Sequence, residues 1–60
     1  MGEMYDFRFK EVWEDGSHHF RNMSFSRFED SFWSAYTLAH AEGVASVDIY
    51  YMDRKIATFY

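Results

Sequence analysis

The chain has 60 residues and no cysteine, so disulfides, thiolate zinc sites and a cysteine nucleophile are excluded, and residues 1–60 read as one small domain with a marginal core. Hydrophobic residues at 48% and aromatics at 23% exclude disorder, while no apolar run approaches the ~20 residues that a membrane helix needs. Six basic against ten acidic residues give a net charge of −4, which argues against a general affinity for nucleic acid phosphates and leaves a protein as the favoured partner. The acids are scattered, so a wholesale mimic of DNA charge is not supported either. "MGEMYDFRFK" carries no apolar signal core, and the expected location is the cytoplasm.

Tyr5, Phe7 and Phe9 alternate with Asp6, Arg8 and Lys10, the period of a strand with one buried face. A turn follows at Glu14-Asp15-Gly16-Ser17, then the second strand "HHFRNMSF". Residues opposite each other in a hairpin share a face. A two-residue Asp15-Gly16 turn sets Phe7 against Ser24 and wastes the apolar pattern. A three-residue loop Glu14-Asp15-Gly16, with Gly16 left-handed in a G1 bulge, sets Phe7 against Met23, Tyr5 against Phe25 and Glu11 against His19.

Ser26-Arg27-Phe28-Glu29 fits a capping box, which predicts a helix from Arg27 with Glu29 and Asp30 in its first turn. Gly43 fits the left-handed residue that ends it. Val47, Ile49 and Tyr51 then alternate with Asp48, Tyr50 and Met52 as a third strand. A tight Asp53-Arg54 turn pairs Tyr51 with Ile56, Ile49 with Thr58 and Val47 with Tyr60, so the last strand runs from Lys55 to Tyr60. The order is ββαββ. A right-handed crossover through the helix most simply places strand one between strands two and three, giving an α+β fold with a four-stranded antiparallel sheet in order 2-1-3-4 and the helix on one face.

At about 100° per residue, Phe32, Ala35 and Ala39 fall close to Phe28 on the helix, with Leu38 and Tyr36 at the flanks. That stripe faces Phe7, Phe9, Met23, Phe25, Val47, Ile49, Tyr51 and Ile56. Trp33 lies outside it, with Glu29, Tyr36 and His40. Its indole either seals the sheet margin or anchors a partner, since Trp and Tyr dominate interface hot spots. The opposite sheet face carries Val12, Phe20, Tyr50, Met52 and Phe59 among Arg8, Lys10 and Lys55. One helix cannot cover both faces, so these residues pack at the edges, stay exposed or meet a second chain, with a homodimer as one outcome. Trp13, at the end of the first strand, is a further candidate contact.

Aromatics among basic residues on an open sheet also suit single-stranded nucleic acid, against which stand the net charge and the absence of an RNP pattern. His18 and His19 point to opposite sides of their strand and cannot readily share a metal ion. The serines have no convincing base and the glycines are isolated, so neither an enzyme nor a cofactor is expected. The element order, with "WSAY" in the helix and "DRKIATF" in the last hairpin, resembles the very small inhibitors that bacteriophages make against host enzymes. It is nearest the T-even phage antitoxin that neutralises a host RNA-cleaving toxin. That resemblance implies a protein acting in the host cytoplasm by occupying a toxin's surface, with Trp33 as one contact. The expected function is therefore a protein-binding inhibitor whose contacts are drawn from Trp33, Tyr36, Glu29, His40, Phe20, Tyr50, Phe59 and Trp13; a nucleic-acid module and a dimerising structural subunit are the alternatives.

Overall fold

Five segments form regular structure in the computed structural model, which describes residues 2–60. They are β1 (Tyr5–Trp13), β2 (His18–Phe25), α1 (Asp30–Ala39), β3 (Val44–Tyr51) and β4 (Arg54–Phe59). The strands make one antiparallel sheet in the order β2-β1-β3-β4 with the helix on one face, the α+β arrangement the sequence predicts. The first hairpin has the expected register, with Tyr5 opposite Phe25, Phe7 opposite Met23 and Glu11 opposite His19. Gly16 takes φ +90°, the Trp13 amide donates to the Ser17 carbonyl at 2.9 Å, and Asp15 accepts from both the Ser17 amide and its hydroxyl. The Asp15 carboxyl is held below its ordinary range by the Ser17 hydroxyl first, and then by the Ser17 amide.

The core is built where two alternating strands meet a narrow helix stripe. Phe7, Phe9, Val47 and Ile49 are buried under Ala35 and Ala39, and Ser31 extends the small-residue stripe by one turn. These small side chains let the helix lie close over β3. Around the centre, Phe28 makes edge contacts with Tyr5, Phe7, Tyr51 and Phe32 at centroid distances of 5.6, 5.2, 5.2 and 5.8 Å. Such pairs contribute about 0.5–1.5 kcal/mol each beyond the area they bury.

That cluster explains the first departure from the sequence expectation. The helix begins at Asp30, not Arg27, and the capping box does not form. Successive i to i+3 bonds join Arg27 to Asp30, Phe28 to Ser31 and Glu29 to Phe32, and the Ser31 hydroxyl donates to the Phe28 carbonyl at 2.7 Å. Glu29 turns outward to Arg27, 3.2 Å away, instead of back to Ser26. The tight turn delivers the Phe28 ring between the strands, and packing outweighs a cap bond that typically contributes about 1 kcal/mol. At the other end the helix stops at Ala39. Gly43 is left-handed, φ +88°, in the Ala41–Val44 turn three residues beyond the helix cap, and a Cβ there would lie 3.2 Å from the Trp13 ring.

The last hairpin is also displaced. Its turn is Met52-Asp53, with φ of +51° and +65°, as a type I′ turn requires, and Tyr51 pairs with Arg54, not Ile56. Farther along, Ile49 pairs with Ala57 and Val47 with Phe59, because a bulge at Ile56 absorbs one residue. A one-residue slip exchanges the faces of a strand. Ile56 therefore leaves the core and is exposed, while Phe59 enters it and meets Phe32 at 6.1 Å.

Candidate functional site

Two surfaces carry the candidate residues. On α1, the side chains at Trp33, Tyr36 and His40 follow one another at helical spacing along the flank turned away from the core. Trp33 is 70% exposed and Tyr36 48%. The indole meets the Tyr36 ring edge-on at 6.3 Å, and Tyr36 lies over His40 at 4.4 Å with a 37° tilt. Each ring limits the rotation of the next, so the ridge is partly ordered before any partner arrives, which lowers the entropic cost of binding. The Thr37 hydroxyl donates to the Trp33 carbonyl at 3.0 Å. Trp33 does not fold back to seal the sheet.

Glu29 closes the N-terminal end of the same flank. Its carboxyl is held below the usual carboxylate range, chiefly by its own backbone amide and next by Arg27, whose guanidinium is in turn raised by Glu29. Both groups are fully solvated. The ridge is thus aromatic along its length and carries an ion pair at one end.

The second surface is the sheet face away from α1. Phe20, 61% exposed, stands opposite Lys10 on β1; in the next row Arg8 lies between Asn22 and Tyr50, and Tyr50 opposes Lys55. None of Arg8, Lys10 and Lys55 lies within ion-pair distance of a described carboxylate. The acids on this face are otherwise engaged: Asp6 accepts from Ser24 at 2.6 Å and Asp48 from Thr58 at 2.7 Å. An open depression of about 540 Å³ lies over the Asp6, Arg8, Asn22 and Tyr50 region, bordered by Phe20 and Met52.

The structure brings Trp33, Tyr36, His40 and Glu29 together on the helix, and places Phe20 and Tyr50 on the open sheet face with β1 between them. It places two of the candidates, partly buried, on the core side. Phe59 faces the helix, for the register reason given above. Trp13 packs against the core beside Gly43, meets His19 edge-on at 5.6 Å and donates through Nε1 to Glu11 at 3.3 Å.

Glu11 stands opposite His19 as the register predicts, but its carboxylate is buried, 1% exposed. Arg21 Nε lies 2.7 Å from Glu11 Oε2, off the N–H direction, so that oxygen has a charge partner without an aligned hydrogen bond. The signal was available in the alternation. Glu11 continues the Tyr5, Phe7, Phe9 face, and the first-hairpin register puts Arg21 on that same face.

Among the described residues no helix is long and apolar enough to cross a membrane. Compared with known proteins, the chain matches no family, and no curated protein or solved structure is significantly similar to it.

Proposed function

We propose that this chain is a protein-binding inhibitor that works by occupying a partner's surface through the Trp33 ridge, without catalytic chemistry of its own. The observation that carries the reading is the exposed series of contacting rings Trp33, Tyr36 and His40 on a helix whose other side is committed to the core. A partner's apolar groove fits anchors spaced i, i+3 and i+7, and an aromatic centre ringed by polar groups is the usual composition of a hot spot. The resemblance to phage inhibitors directs the choice of partner to a host enzyme or toxin in the host cytoplasm.

The test is affinity capture from a host lysate with the parent and Trp33→Ala, followed by titration of the captured protein. Loss of at least about 2 kcal/mol of binding, roughly thirtyfold in affinity, with the fold retained, supports the anchor role. Equal affinities for parent and variant overturn it. A second reading is favoured by Arg8, Lys10 and Lys55, which stand without carboxylate partners beside Phe20 and Tyr50: a single strand of nucleic acid lying across the open sheet. Oligonucleotide binding that weakens with salt and is lost in Arg8→Ala and Tyr50→Ala would select this reading over the first.

A further inference from the structure

The two edges of the sheet are built differently. β4 is six residues long, interrupted by the bulge at Ile56, and begins with Arg54 and Lys55; short length, a bulge and basic side chains are the devices that keep an edge strand from pairing. β2 has no bulge, and its arginine, Arg21, is paired with Glu11. Its eight residues pair with β1 in unbroken register from His18 to Phe25. In a chain with ten acidic residues, "HHFRNMSF" contains none.

The direction of its free backbone groups follows from the hairpin. Trp13 and Ser17 form a hydrogen-bonded pair, and such pairs alternate along an antiparallel ladder. His19, Arg21, Met23 and Phe25 therefore turn their amides and carbonyls toward β1. His18, Phe20, Asn22 and Ser24 turn theirs outward, where no strand among the described residues meets them.

We propose that two copies of this chain join antiparallel through β2, centred on Asn22, making one continuous sheet in the order β4-β3-β1-β2-β2-β1-β3-β4. A second copy fits because two such edges bring no carboxylates together, although each chain carries a net charge of −4. A two-fold axis normal to the sheet keeps both helices on one side and lets residues of like face oppose each other. Centring on Arg21 sets that cation against its copy, and centring on Phe20 sets it against His19. Centring on Asn22 sets Arg21 against Met23, His19 against Phe25 and Phe20 against Ser24 of the second copy, with no like-charge pair. Arg21 is already compensated within its own chain by Glu11. The joint is separate from the Trp33 ridge, so it stands or falls independently of the inhibitor reading.

Sedimentation equilibrium from micromolar to millimolar concentration tests the proposal, together with amide hydrogen exchange. Asn22→Pro removes an outward N–H that β1 does not use, which an edge strand tolerates; Asn22→Lys places like charges at the axis and leaves the backbone intact, so it decides the matter if the proline variant does not fold. The parent should dimerise with concentration, both folded variants should remain monomeric, and exchange at Phe20, Asn22 and Ser24 should slow as the dimer forms. A parent that stays monomeric to millimolar concentration overturns the proposal. So does a dimer that survives in folded Asn22→Lys, or one in which these outward amides still exchange freely.

Discussion

Arg21→Ala removes the only cation within ion-pair distance of the Glu11 carboxylate among the described residues, a group 1% exposed in the parent that keeps a 3.3 Å contact from the Trp13 indole. Breaking a fully buried ion pair costs about 3–5 kcal/mol, because the remaining charge is stranded. Here the Arg21 side chain is 57% exposed, so water reaches the vacated side, and a loss of about 2 kcal/mol is expected. A domain of this size has about 3–9 kcal/mol to lose. The melting temperature should accordingly fall by about 8–16 °C, at roughly 4–8 °C per kcal/mol. Urea unfolding followed by far-ultraviolet circular dichroism measures the change directly. The paired replacement Glu11→Leu with Arg21→Leu removes both charges and should restore stability to within about 1 kcal/mol of the parent. A single variant that loses less than about 0.5 kcal/mol, the scatter typical of surface substitutions, would refute the stranded-charge argument. So would a double variant as unstable as the single one.

The Met52-Asp53 turn holds two non-glycine residues left-handed, so Met52→Asn with Asp53→Gly, the preferred type I′ pair, should raise stability by about 1 kcal/mol, read as a higher urea midpoint with an unchanged slope. No gain would mean that the turn costs the parent nothing. The hairpin also predicts an acid limb. The Asp15 carboxyl is depressed in the folded state by Ser17, so its stabilisation is present above the unfolded carboxylate value and is lost as pH falls through the lower folded value. Melting temperature followed below pH 5 should drop in the parent, and the drop should be smaller in Asp15→Asn; identical curves would show that the Ser17 contacts do not contribute.

How much of the molecule is legible from residues alone depends on whether a local rule had competition. Tyr5, Phe7 and Phe9 opposite Met23 and Phe25 admit one sensible register, and Gly16 supplies the left-handed residue that this register needs, so the first hairpin follows from pattern and turn chemistry together. In the last hairpin the pattern was ambiguous by one residue. Neither Met52-Asp53 nor Asp53-Arg54 is a strong turn signal, and the bulge at Ile56 lets β4 change face midway. The capping box was a sound local expectation that lost to the Phe28 cluster, whose members are brought together from β1, β3 and α1.

For the candidate surfaces the same distinction holds. The angular position of Trp33 on the helix, away from Phe28, Phe32, Ala35 and Ala39, was set by spacing at 100° per residue and needed no tertiary information. Whether the indole then lay flat over the sheet or stood into solvent depended on how the helix settled over β3, and there it is exposed. Trp13 and Phe59 show the converse. Both are large aromatics near strand ends, where sequence carries little orientation signal, and both were turned toward the core by neighbours distant in the chain: Gly43 for one, Phe32 and Val47 for the other. Composition, periodicity, the first turn and the handedness of one crossover determined the ββαββ order, the sheet order and the helix stripe, because each rests on local periodicity, one uncontested register or a chirality rule that sequence order suffices to apply. The start of the helix, the face of Phe59 and the exposure of Trp33 were decided by tertiary structure, where packing between remote segments outweighs local preferences of about 1 kcal/mol.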